Sequence, residues 1–290
     1  MNRRTILAGA LATLGARAAA GASQPAVPFD AQIAAMETQL GGRIGVAALN
    51  TADGARLAHR ASERFAMAST FKWTLAAFVL SRIDAGKLQA DQQIAYGRTD
   101  ILPHSPTTEA HLSEGYLTVL QLAEAGVEVS DNGAANLLLT RCGGPAALTQ
   151  FLRSTGDRAT RLDRMELNLN SNLPGDPRDT TTPNAMVSTM QTILLGNILA
   201  PASRELLLTW LKNSQTGQQR LRAGLPRSWI VGDKTGTGEN GAINDYAIAW
   251  PPGAQSPLLI VCLMSGSPKS IDDLSAAHAR IASLVAVALG

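Results

Sequence analysis

Apolar positions recur at helical spacing across residues 29–40, where Ile33, Met36 and Leu40 fall on one face. Strand-like alternation then replaces that spacing. Residues 43–49 predict a strand, Thr51-Ala52-Asp53-Gly54 a turn, and residues 55–59 a second strand returning as a hairpin. From residue 70 to 83 the pattern is helical and strongly apolar, ending near Gly86. Further helices are predicted over 119–126, 134–141, 145–154, 183–194 and 202–213. Strand-like runs return near the end, at 229–233, 243–250 and 258–264, joined by Gly, Pro and Asn turns. Residues 271–289 close the chain as an amphipathic helix with Leu274, Ile281 and Leu284 inward. Strands at both ends around a helical middle predict the α+β class: one antiparallel sheet assembled from both chain ends, flanked by helices, with a mostly helical inserted subdomain. The expected division is an export signal at 1–22, an α/β subdomain from 23–60 and 213–290, and an all-α subdomain at 61–212. A groove between two such subdomains is a usual place for a small-molecule site.

Composition narrows the function classes. The 290 residues are 45% hydrophobic, enough for a large core without structural disulfides or metals. No apolar run approaches the ~18 residues of a membrane span. Residues 1–22 hold Arg3, Arg4 and Arg17 and no acid, so of 25 bases only 22 remain against 23 acids beyond them. Without a basic stripe or an aromatic platform, nucleic-acid binding is not expected. The first residues read as an export signal: two arginines, an apolar stretch from Ile6 to Leu14, then small residues through Ala22. Thr5-Ile6-Leu7 after the paired arginines fits a twin-arginine signal, and an ordinary secretory signal fits as well. No cysteine lies there to carry a lipid anchor. A soluble, exported monomer is expected. Cys142 follows an apolar helical run and Cys262 sits inside a strand-like one, so both are read as buried free thiols. His59, His104, His111 and His278 lie far apart in no ligating pattern, so no metal site or cofactor is expected.

Three short motifs carry chemistry. Ser69-Thr70-Phe71-Lys72 opens the first long helix, and a lysine three residues along shares the serine's face and can take its proton. Alone this is weak, since S-x-x-K arises by chance roughly a third of the time in such a composition. Ser130-Asp131-Asn132 sits at a break between helices, where a hydroxyl can relay a proton and an amide can hold a carbonyl; a helix cap is the plainer reading. Lys234-Thr235-Gly236-Thr237-Gly238 follows the strand at 229–233, and its cation, hydroxyls and small glycines suit a carboxylate and an extended amide. Each of the last two has a chance frequency of roughly 0.04, which makes coincidence of all three improbable.

This ordered set resembles the penicillin-recognising serine enzymes and, within them, the class A β-lactamases. The resemblance spans about residues 27–290. A fourth segment, Arg161-Leu162-Asp163-Arg164-Met165-Glu166-Leu167-Asn168-Leu169-Asn170, resembles the omega loop of that class (161–179 here), with Arg164 and Asp179 as its closing ion pair. The resemblance implies Ser69, Lys72, Ser130 and Glu166 as catalytic residues. For substrate binding it implies Asn132, Asn170, Lys234, Thr235, Gly236, Thr237, Arg220 and His104, and for the oxyanion the backbone N–H groups of Ser69 and Thr237. It further implies a small-molecule β-lactam substrate, no cofactor and a periplasmic location. Met165 and Leu167 stand where the family more often has Trp and Pro, which puts the local backbone in question. Ala68 and Gly238 stand where class A carbapenemases commonly have a disulfide, so strong carbapenem turnover is not expected. A D,D-peptidase shares the first three motifs but not the carboxylate of the fourth.

Overall fold

The computed structural model describes residues 27–290; the expected export signal lies outside the described residues. Helix α1 (Phe29–Leu40) ends at Gly41, whose left-handed φ of 68° lets its N–H cap Glu37 O. The alternating segments after it pair as β1 (Arg43–Asn50) and β2 (Arg56–His59). A two-residue strand β3 (Phe65–Ala66) and a 3-10 turn (Ala68–Thr70) lead into α2 (Phe71–Asp84). The helical middle follows as β4 (Gln93–Ala95), α3 (Pro106–Ala110), β5 (Tyr116–Thr118), α4 (Val119–Glu128), α5 (Asn132–Cys142) and α6 (Gly144–Ser154). It continues with β6 (Thr180–Thr181), α7 (Pro183–Met190), α8 (Pro201–Lys212) and α9 (Leu221–Gly224). Strands β7 (Ile230–Thr237), β8 (Ile243–Trp250) and β9 (Leu258–Ser265) precede α10 (Ile271–Leu289).

The sheet has the order β2-β1-β9-β8-β7, antiparallel throughout, so both chain ends contribute to it. Strand β9 lies at its centre, and its continuous apolar run follows from being covered on both faces. Leu258, Ile260, Cys262 and Met264 face α1 and α10, while Leu259, Val261 and Leu263 face the helical middle. At about 1.5–3 kcal/mol per fully buried aliphatic side chain, this strand alone ties the two layers together strongly. Helix α2 is buried continuously from Phe71 to Leu80, the signature of a helix surrounded by others rather than lying on a surface. Cys142 and Cys262 are buried free thiols, in cores on opposite faces of the sheet.

Two expectations are corrected. Strand β7 does not stop at Asp233: its ladder with β8 continues through Lys234↔Tyr246 to Thr237↔Ile243, so the K-T-G segment lies inside the strand. Gly236 weakened the local strand pattern, but the cross-strand partner overrides it. The helix expected over 183–194 is α-helical only to Met190 and continues as a π-turn through Leu195. The pairs β3–β6 and β4–β5 were not foreseen, because two or three residues cannot display a period.

Candidate active site

The turn bearing Ser69 is held from three sides. Thr70 Oγ1 donates to Met67 O, and Asn244 Nδ2 on β8 donates to the carbonyls of Ala66 and Met67 at 2.9 and 3.0 Å. Gly236 on β7 closes the third side: a Cβ there would sit 2.6 Å from Met67 O. Ser69 is therefore presented on a fixed turn at the mouth of the buried helix α2. Lys72, one helical turn on, donates to Ser69 Oγ at 3.0 Å and Ser130 O at 2.8 Å, and also to Asn132 Oδ1. Glu166 Oε1 lies 3.2 Å from Ser69 Oγ and 3.1 Å from Lys72 Nζ. Its other oxygen accepts from Asn170 Nδ2 at 2.7 Å. Ser130, in left-handed backbone with φ 61°, receives Lys234 Nζ at 3.0 Å on its hydroxyl. Six of the residues singled out in the sequence thus form one continuous hydrogen-bonded array around the Ser69 hydroxyl.

That array opens into a cleft of about 580 Å³ whose lining includes Ser69, Ser130, Asn132, Asn170, Thr235, Gly236 and Thr237, with His104 and Leu167 at its walls. Arg220 closes one end, donating to Thr237 Oγ1 at 2.6 Å and to the carbonyls of Gly236 and Asn244. Thr235 Oγ1 donates to Thr216 Oγ1 at 2.6 Å. His104 sits in left-handed backbone with a ring nitrogen 3.0 Å from Val129 O. Burial dominates the electrostatics. It pulls the Lys72 ammonium down, against the opposing pull of the Glu166 carboxylate. Lys234 falls to about 7 through burial and the neighbouring Lys72 charge, and burial also lowers Arg220. Three cationic side chains, Arg220 in the lining with Lys72 and Lys234 behind it, stand against two carboxylates, Glu239 in the lining and Glu166 beside Lys72, a balance that favours an anionic ligand. A serine hydroxyl within direct reach of both an amine and a carboxylate can act as a nucleophile, and the carboxylate–amide pair beside it can hold a water.

A family model described as the β-lactamase enzyme family matches residues 28–289. The chain is 44% identical over 253 residues to β-lactamase CTX-M-97 of Escherichia coli, covering 86% of each. It is also 44% identical over 289 residues to the carbapenem-hydrolyzing β-lactamase KPC of Klebsiella oxytoca, covering 97% of this chain and 96% of that one. Among solved structures, an ancestral class A β-lactamase superposes with a TM-score of 0.87 at 53% identity, over 90% of this chain and 99% of that one. A β-lactamase from Xanthomonas campestris gives 0.88 at 46%, over 90% and 97%. The chain belongs to the class A β-lactamase family.

Residues without a motif hold the family's array in place. Asn136 accepts the Glu166 N–H on Oδ1 and donates to Glu166 O from Nδ2, both at 2.9 Å, beside the cis Glu166–Leu167 bond that occurs here without proline. It lies four residues after Asn132 on α5, and that same-face spacing was the one available signal. Asp131 caps α5 through Ala134 N and also accepts the N–H groups of Thr107 and Thr108, so the cap reading of S-D-N holds while Ser130 and Asn132 on either side of it meet Lys72. Asp179, fully buried, accepts from Asp163 N, Arg164 N and Arg164 Nε, closing the loop that carries Glu166. A Cβ on Gly238 would stand 3.5 Å from that of Ala68. The two positions therefore lie at disulfide spacing, and only their side chains rule a disulfide out.

Proposed function

We propose that the protein hydrolyses the β-lactam ring of penicillins and cephalosporins through an acyl-enzyme on Ser69, and so confers resistance to these antibiotics. Ser69 Oγ attacks the ring carbonyl while its proton passes to the Lys72–Glu166 pair. The oxyanion is held by the backbone N–H groups of Ser69 and Thr237, each such donor contributing roughly a hundred- to a thousandfold in rate. The Ser130 hydroxyl delivers a proton to the departing ring nitrogen, with Lys234 behind it. Asn132 positions the acyl amide, and Thr235, Thr237 and Arg220 hold the substrate carboxylate. Gly236 lets the β7 backbone approach the ligand, and His104 lines the entrance. Glu166, held by Asn170, then draws a proton from water, which attacks the ester carbonyl and frees Ser69; general-base catalysis of this kind is worth about 10²–10⁴-fold. No step calls on a cofactor. The placement of Glu166 between Ser69 Oγ, Lys72 Nζ and Asn170 carries the reading, because a D,D-peptidase shares the first three motifs but lacks this deacylating carboxylate, so that penicillin stays attached to it.

The cleft lies between the segments 23–60 with 213–290 and the segment 61–212, which we read as two subdomains. Export to the periplasm as a monomer, along either the twin-arginine or the general route, completes the proposal. Among the described residues no helix is long and apolar enough to cross a membrane. Glu166→Ala incubated with benzylpenicillin is expected to accumulate a covalent adduct on Ser69 in intact-mass spectra, and release at the parent rate would refute the deacylation role. Ser69→Ala is expected to abolish nitrocefin hydrolysis, and retained turnover would mean another nucleophile.

A further inference from the structure

A second cavity, of about 670 Å³, lies on the far side of the omega loop and shares no lining residue with the active-site cleft. Its lining carries four guanidinium groups, Arg43, Arg64, Arg164 and Arg178, and two carboxylates, Glu63 and Asp176. Pairing leaves one cation over. Arg43 meets Glu63 at 2.7 Å, Arg178 meets Asp176 at 2.8 Å, and Arg164 is bound to Asp179, buried behind the wall. Arg64 has no carboxylate partner among the described residues; its Nη1 donates only to Ala159 O and Thr180 Oγ1. Nε and Nη2 of the exposed Arg64 and Nη1 of Arg178 on the loop are left without a protein acceptor among the described residues. Guanidinium groups with unused donors lining one cavity make a site for an oxyanion.

Arg164 also approaches Asp176 at 3.9 Å and Thr180 Oγ1 donates to Pro177 O, so the loop segment over this cavity is untied only across its tip. Asn172 is tied to Asn240 O and Ser265 Oγ at one end, and Arg164 to Asp179 at the other. Between them, Leu173, Pro174 and Gly175 make no hydrogen bond to the floor among the described residues, and Leu173 is half exposed. An anion accepting from Arg64 and Arg178 together would supply the missing tie. The span it tightens is continuous with Ser171, which receives Arg164 Nη1, and with Asn170, which holds Glu166.

We propose that this cavity is a second binding site, for the carboxylate or phosphate group of a small anion, and that its occupant stiffens the loop bearing Glu166. Binding and stiffening are measurable without turnover, so their failure is distinct from failure of the hydrolytic reading. The test titrates the protein calorimetrically with succinate and with inorganic phosphate, sodium chloride holding the ionic strength constant, and follows amide hydrogen exchange over residues 173–178. Saturable binding of either anion with slower exchange in that span is expected, and the tighter of the two identifies the chemical source. Arg64→Gln and Arg178→Gln should each lower the affinity about tenfold, as loss of a charge-assisted hydrogen bond does, with nitrocefin turnover in the absence of anion within twofold of the parent. Arg178 is half exposed, so its variant carries the test if the other folds poorly. Heats matching chloride alone with unchanged exchange would overturn the proposal, as would parental affinity in the Arg178→Gln enzyme.

Discussion

Lys234 illustrates how burial sets chemistry at single residues. Wholly buried and close to the Lys72 charge, its ammonium is brought to about 7. Below that pH the charged form predominates and attracts a substrate carboxylate; above it the attraction fades. The kcat/KM of an anionic penicillin is therefore expected to fall as pH rises through 7, and Lys234→Arg, whose charge persists, should move that limb upward. A flat profile from pH 6 to 9 in the parent would contradict this. For stability the same shift has another consequence. The unfolded lysine keeps its proton to about 10.5, so the cost of burying the charge is full below 7 and disappears as pH rises toward 10.5. Ser69, Lys72, Ser130 and Lys234 were legible because their motifs combine residue types whose spacing the chemistry demands. Asn136 was not, because one amide in a helical run looks like any other until its partner, Glu166, is brought beside it.

Elements matter here through what they hold still. Asp179 anchors the omega loop by accepting three N–H donors while fully buried. Removing one partner of a buried charge pair costs about 3–5 kcal/mol. Asp179→Ala is thus expected to lower the melting temperature on the order of 6–12 °C. It should also slow deacylation more than acylation, since Glu166 rides on that loop; thermal unfolding and rapid-quench acylation kinetics check both. Strand β7 depends on Gly236, where a Cβ would collide with Met67 O, a backbone atom that cannot rotate away. Gly236→Ala should therefore displace the Ser69 turn and lower kcat/KM at least tenfold by steady-state assay, with the sheet still formed by circular dichroism. The long elements announced themselves by period. The extension of β7 to Thr237 did not, because Gly236 interrupts the strand pattern, and the pairs β3–β6 and β4–β5 did not, because two or three residues are too few to show a period.

Across the whole molecule, buried polar groups under the sheet tune stability with pH. His278 on α10 is fully buried beside Leu274 O, and burial and Arg220 push it down to about 3. The unfolded histidine takes a proton near 6.5, so below that pH the unfolded state binds more protons and stability declines as pH falls toward 3. Asp245, raised by burial and by Asp233, acts in the opposite sense: its folded carboxyl keeps a proton that the unfolded one releases, so its burial costs more as pH rises. The difference between parent and variant isolates the histidine. His278→Gln is expected to lose less stability than the parent between pH 7 and 4.5 in urea unfolding, and equal losses would show that another group governs acid sensitivity.

The order of motifs, the hydrophobic periods and the loop carrying Glu166 and Asn170 were sufficient to determine the α+β class, the serine chemistry and the family. Those features are local in the chain or repeat at fixed spacing. Tertiary structure alone decided what depends on approach between distant segments. It placed Glu166 within reach of both Ser69 and Lys72, set Arg220 against Thr237, packed Gly236 beneath the Ser69 turn, and left Arg64 and Arg178 lining one open cavity. Such contacts form because burial forces polar groups far apart in sequence to find partners in space, and a linear pattern carries no record of which partner each one finds.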